Sequence, residues 1–142
     1  AARIGFRHTD LFASVSMLAA GPLDQDFKGP RAVADPTLRQ RILDTVYGGD
    51  IAIFREQSPS QIAKAQASSI RSELLLRVIV GSEDFTAPDN RAFHQHLTQL
   101  DIPHEYQELV GVGHEAPRIL SSPGDVNWRF YRAALANALP EN

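Results

Sequence analysis

The sequence predicts an α/β fold in which about three parallel strands are flanked by helices. Three observations carry that prediction. The run LLLRVIV at residues 74–80 is almost continuously apolar, as expected of a parallel strand covered on both faces. Strand-like and helix-like segments alternate along the chain, which favours a parallel sheet joined by right-handed crossovers. Two of the strands run into polar, glycine-containing loops, and in parallel sheets functional groups gather beyond the carboxyl ends of strands.

Each element follows from local chemistry. Residues 1–9, AARIGFRHT, read as the end of a helix. FASVSML, residues 12–18, reads as a short buried strand stopped by Gly21-Pro22. Residues 20–34 have loop character. Asp35 and Pro36 supply an N-cap and a first-turn proline, and Leu38, Ile42, Leu43 and Val46 keep a helical period up to Gly48-Gly49. Ser58-Pro59 opens a short helix over 58–70. Residues 19–73 as a whole form a helical, lid-like excursion between the first two strands. After the 74–80 strand, GSEDFTAPDN (81–90) reads as a loop. Phe93, His96, Leu97 and Leu100 then share one face of a helix over about 89–100. HEYQELV (104–110) reads as a strand and GVGHEAP (111–117) as a loop. A last amphipathic helix carries Trp128, Tyr131, Leu135 and Leu139 at spacings of three and four, and its two aromatics read as core.

Composition narrows the function. At 142 residues the chain is one domain's worth, and a formal net charge of −3 gives no case for nucleic acid or an anionic membrane as partner. No run approaches the roughly 18 apolar residues of a membrane span. Cysteine is absent, which excludes disulfides and thiolate metal sites. The histidines do not suggest a metal either: His94 and His96 are two apart on a helix and point to different faces, His104 begins a strand, and His8 ends a helix. Gly111 and Gly113 lack the further glycines of a phosphate loop and lead into Pro117. No cofactor is expected.

The chemistry lies in two loops. Asp84 follows the 74–80 strand and His114 follows the 104–110 strand, so both fall on one rim of adjacent elements. An acid that orients a histidine serving as general base is the rear half of a nucleophilic triad. The carboxylate would fix the tautomer and stabilise the imidazolium, and the glycines around His114 would let the backbone turn sharply. Glu83 is a rival for the acid.

Two stretches resemble α/β-hydrolase esterases of the esterase D, feruloyl-esterase-like family. Arg3 to Ala13, RIGFRHTDLFA, resembles the segment after that family's nucleophile elbow, which usually ends R-H-P-D-L-F before a strand; Thr9 stands where proline is usual. VIVGSEDFTAPDNRAFHQHLTQLDIPHEYQELVGVGH, residues 78–114, resembles its stretch from catalytic acid to catalytic histidine. The resemblance implies the C-terminal half of an α/β-hydrolase fold over residues 1–142, with residues 74–142 holding the acid and histidine loops and the last helix. It implies Asp84 as catalytic acid, preferred to Glu83, and His114 as general base. It also puts Phe85, Thr86 and Ala87 near the rim of a pocket for a small-molecule ester. Glu115-Ala116-Pro117 replaces the Asn-Trp or Asp-Trp that often follows the histidine.

The largest departure is an absence, for no G-x-S-x-G occurs in these residues. Ser14 and Ser16 lie in a strand, Ser82 sits beside the acid, and Ser121-Ser122 follow a proline-interrupted loop, so none is a substitute nucleophile. The chain starts without methionine, and its first strand has no evident neighbour on one side. It is therefore expected to be part of something longer and nearly inert alone. The competing expectation is a non-catalytic α/β module that pairs with a partner, or with itself, through that open strand edge.

Overall fold

A computed structural model describes residues 1–21, 23, 27, 35–122 and 124–138, the last two by backbone alone. Helix α1 (Ala2–Arg7) leads into strand β1 (Ser14–Leu18). Helices α2 (Pro36–Tyr47), α3 (Ile51–Gln57), α4 (Pro59–Ala65) and α5 (Ala67–Glu73) precede β2 (Leu75–Gly81). Then come α6 (Ala87–Gln99), β3 (Glu105–Leu109), α7 (Ala116–Ser121) and α8 (Asp125–Ala138). The strands form one parallel sheet in the order β1-β2-β3, the small parallel sheet that the sequence predicts. Its central strand is the apolar run, and Val78, Ile79 and Val80 are fully buried.

The two faces of the sheet are covered differently. On one, Val15 and Met17 of β1 and Leu76 and Val78 of β2 pack with Phe6 of α1, Ile62 of α4, Ile70 of α5 and Phe93 and Leu97 of α6. Each such burial contributes about 1.5–3 kcal/mol. The opposite face carries a second, smaller cluster of Ala19, Ile79, Leu109, Val112 and Ile119, close to the carboxyl ends of the strands. Next to it lies a cation. Arg77 is 1% exposed, and its Nη2 and Nε donate to Ser16 Oγ on the neighbouring strand at 2.9 and 3.2 Å. Its guanidinium carbon sits 4.3 Å from the Phe130 ring centre and 4.9 Å from that of Tyr131, both on α8. Burial pushes the guanidinium below its ordinary pKa.

Several expectations are corrected. Two prolines read as loop residues start helices instead: Pro88 lies in the first turn of α6 and Pro117 in that of α7, where the missing N–H has no helical partner to lose. The loops predicted over 81–90 and 111–117 are correspondingly shorter. The helix predicted over 58–70 is two, α4 and α5, broken at Gln66. Helix α3 had no counterpart in the sequence reading; Asp50 caps it by accepting from Ala52 N at 2.7 Å. Helix α2 has its predicted Asp35 cap and left-handed Gly48, yet none of its residues is buried, and Val46 is 60% exposed. On α8 the predicted core face is turned outward: Trp128 and Leu135 are mostly exposed, while Asn127, Phe130 and Ala134 are buried. Both stripes have the same spacing, so periodicity alone could not choose between them. The loop predicted over 20–34 lies largely outside the described residues, as do Pro22 and Leu139. Among the described residues no helix is long and apolar enough to cross a membrane.

Candidate active site

Strands β2 and β3 run parallel and adjacent, so their exit loops meet at one rim. Gly81 makes the approach possible, because a Cβ there would lie 2.0 Å from the carbonyl oxygen of Val112. Gly111, at φ 71, turns the other chain. Three bonds stitch the loops together: Ser82 N donates to Leu109 O at 2.9 Å, Glu83 N to Val112 O at 3.0 Å, and Gly111 N to Ser82 Oγ at 3.0 Å.

This framework brings Asp84 and His114 into contact. His114 Nδ1 lies 2.9 Å from Asp84 Oδ2 and 3.1 Å from Oδ1. A carboxylate only accepts, so Nδ1 carries the proton and Nε2 is the nitrogen left to take one. The Asp84 side chain is wholly buried, whereas that of His114 is 49% exposed. The charge therefore sits behind the ring, where it would stabilise an imidazolium, and the ring is reachable from outside. Asp84 Oδ1 also accepts from Thr86 N at 2.7 Å and Thr86 Oγ1 at 2.8 Å. Phe85 stacks on the imidazole, with ring centres 4.5 Å apart and planes 29° from parallel. A cavity of about 170 Å³ lies beside His114, walled by Leu18, Ala19, Ala116 and Ile119. A wider cleft of about 750 Å³, lined by Arg7, His8, Arg55 and Glu56 among others, includes neither Asp84 nor His114.

Of the two acids left open by the loop sequence, Asp84 is the one at His114, and Glu83 is exposed. Phe85 is half-exposed at the rim. Thr86 is not at the rim: it is 4% exposed and its hydroxyl is committed to Asp84. Ala87 is buried at the start of α6. The serines are engaged elsewhere or stand in the open: Ser16 Oγ accepts from Arg77, Ser82 Oγ from Gly111 N, and Ser121 and Ser122 are exposed.

Two features were given no role by sequence reasoning. Asn90 is fully buried, and its Nδ2 donates to Ala20 O and Thr86 O, both at 2.9 Å. Its position was a readable signal, since 90, 93 and 97 share the helix face that Phe93 and Leu97 bury. The second is a histidine pair. His94 Nδ1 lies 2.7 Å from His104 Nε2, and His104 Nδ1 lies 2.8 Å from Ile102 O. Two ligands of one zinc ion at about 2.0–2.1 Å each cannot have their nitrogens so close in a tetrahedral site. Among the described residues no group of three or more His, Asp or Glu is placed to hold a metal. Below the pair, Tyr106 stacks on His94, and Tyr106 OH donates to Glu108 at 3.0 Å. Burial pushes the Tyr106 hydroxyl up to about 12. The hydrogen bonds from Arg91 hold the Glu108 carboxyl below its ordinary range.

No protein-family model matches the sequence, and no curated protein matches it. Solved structures do. A ferulic acid esterase superposes with a TM-score of 0.58 at 22% identity, over 99% of this chain and 45% of that one. The S-formylglutathione hydrolase FrmB of Staphylococcus aureus, as apoenzyme, gives 0.60 at 15% identity, over 97% and 49%. FphF, a fluorophosphonate-binding serine hydrolase of the same organism with substrate bound, gives 0.55 at 16%, over 98% and 49%. The chain thus has an α/β-hydrolase-like fold and spans about half the length of these structures.

Proposed function

We propose that this chain contributes the acid and the general base of a serine-dependent carboxylic-ester hydrolase acting on small-molecule esters. The observation that carries the reading is the 2.9 Å contact between Nδ1 of the half-exposed His114 and the buried carboxylate of Asp84. In this reading a serine attacks the ester carbonyl and its proton passes to His114 Nε2. The imidazolium, steadied by Asp84, returns that proton to the departing alkoxide. A water deprotonated by the same nitrogen then attacks the acyl-enzyme, releasing the carboxylic acid and restoring the serine. The serine and the oxyanion hole are assigned to residues outside these 142, because no G-x-S-x-G occurs among them. Stacked Phe85 and the 170 Å³ cavity are the surfaces offered to substrate in this reading.

The test is to sequence the DNA 5′ of the Ala1 codon and express the longer product. An open frame encoding G-x-S-x-G a few residues before Ala1 is expected, with a product labelled by a fluorophosphonate probe. In that product His114→Ala should lower ester turnover on the order of a millionfold, and Asp84→Asn by about ten-thousandfold. A stop codon there with a start close to Ala1, and no labelling, would sink the reading.

One observation favours a second, non-catalytic reading. Among the described residues strand β1 pairs with β2 alone, and Ile4 and Phe12 line an apolar pocket of about 220 Å³ against it. An α/β module could use that edge to pair with a partner or a second copy. Hydrophobic-dye binding and light scattering on the 142-residue chain separate the two. A monodisperse, cooperatively folding chain that ignores the dye fits the module, and dye binding with association fits part of a larger fold.

A further inference from the structure

We propose that Asn90 and Thr86 are positioning residues that lock Asp84, and through it the tautomer of His114. The inference rests on the reading of Asp84 and His114 as an acid–histidine pair. Thr86 bonds Asp84 directly, through backbone N–H and hydroxyl, and both bonds fall on Oδ1. This leaves Oδ2 as the oxygen closest to His114. Rotation of the carboxylate is resisted from behind, so the acceptor stays in line with the histidine N–H.

Asn90 fixes Thr86 in turn. Both Nδ2 hydrogens are committed, one to Thr86 O and one to Ala20 O. Because both partners are carbonyls, the amide can sit only with its nitrogen toward them. Its Oδ1 is then left buried, with no partner among the described residues. Thr86 O already accepts from Asp89 N and Asn90 N, so the new connection is the one to Ala20. Ala20 belongs to the chain leaving β1, directly after Ala19. That residue takes a left-handed φ of 47, rare for an alanine, and its N–H bonds Ile79 O on the central strand. Ala19 is also a wall of the cavity beside His114. Asn90 therefore ties the cavity wall, the acid loop and the first turn of α6 into one rigid unit. An apolar side chain would fill the same buried space without orphaning an oxygen. The asparagine is there for its two donors.

The experiment uses the 142-residue chain and reads the ring nitrogens of His114 by ¹⁵N NMR, above the pH at which the ring is charged. In the unmodified chain Nδ1 should be protonated, Nε2 bare, and a low-field Nδ1–H resonance present. Asn90→Leu keeps the branched shape and removes the donors, while Thr86→Val removes one hydroxyl. In both, the low-field resonance should be lost and the ring should become a mixture of tautomers, while the circular dichroism stays that of the folded chain. Thr86→Ser should restore the single tautomer. If Asn90→Leu does not fold, the Thr86→Val and Thr86→Ser pair still decides. A single Nδ1–H tautomer that persists in Thr86→Val and in a folded Asn90→Leu overturns the proposal and leaves the acid–histidine reading intact. An unmodified chain whose His114 is not protonated at Nδ1 overturns both.

Discussion

The two faces of the sheet are built by different rules. The face toward α1, α4, α5 and α6 is a continuous apolar layer in which Phe6, Ile70, Val78 and Leu97 are all fully buried. The opposite face starts from a polar row, Ser16, Arg77 and Glu105 in register across the three strands. It is covered by the short α7 and by α8, which buries Phe130 and leaves Trp128 and Leu135 outside. The first face is closed by what the chain itself supplies. The second holds a charge where a core would be expected and exposes the side chains that would have made one. The acid and histidine stand at the rim where the two faces meet, which is why their geometry relies on hydrogen bonds as well as packing.

Mutations can test whether this asymmetry is energetic. Phe93→Ala on the closed face should cost about 3–5 kcal/mol, read as a shift in denaturant midpoint, because a buried ring leaves a cavity. A loss below about 1 kcal/mol would mean that this face is not the main core. Arg77→Met should behave oppositely. A buried cation is costly to desolvate, and the neighbouring Glu105 and the contacts with two rings, worth about 2 kcal/mol, offset that cost only in part. The expected result lies between no change and a gain of about 2 kcal/mol, measured in the same titration. A large loss would show that the arginine organises the second face as firmly as phenylalanine does the first.

The asymmetry also explains what the sequence could and could not disclose. The LLLRVIV run announced the central strand because a strand covered on both faces needs little periodic information. Asp84 and His114 were legible because each stands just past its own strand, and neighbouring parallel strands put such loops together. Thr86 could be placed near the site but not assigned its direction, since rim and interior differ by one side-chain orientation. Arg77 in the apolar run carried no local signal, because burial of an arginine there depends on Ser16, Glu105 and Phe130, far away in sequence. Helix α8 was predicted as a helix with the wrong side inward. Its two candidate stripes are offset by one residue, and Arg77 lies against a ring from each, Phe130 and Tyr131, so no local pattern separates them.

A smaller effect should come from the histidine pair that joins α6 to β3. Burial, and then the neighbouring His104, hold His94 below the ordinary 6.5. The unfolded chain therefore takes up this proton before the folded one does. The sign follows: the contribution is complete above about pH 6.5 and is lost as the pH falls through that value toward the lowered one. The denaturant midpoint should decline between pH 7.5 and 5.5, and His94→Gln should flatten the decline, since glutamine still offers a donor toward His104. An equal decline in the variant would assign the dependence to other groups.

The smallest stability change is expected at an exposed aromatic ring of α8. Trp128 is 60% exposed beside a groove of about 470 Å³ that it lines with Leu120, Asn127 and Tyr131. If the second face is open, Trp128→Ser should move stability by no more than about 0.5 kcal/mol. The same change should lower hydrophobic-dye binding and any self-association, because it removes the largest exposed ring from the patch. A loss of 2 kcal/mol or more would mean that the indole is covered within the chain, and the contrast between the faces would fail. Unchanged stability with unchanged dye binding would move the open surface elsewhere, to the β1 edge beside Ile4 and Phe12. Weak stability and strong dye effects together would identify α8 as a face that is stable without cover but shaped to receive it.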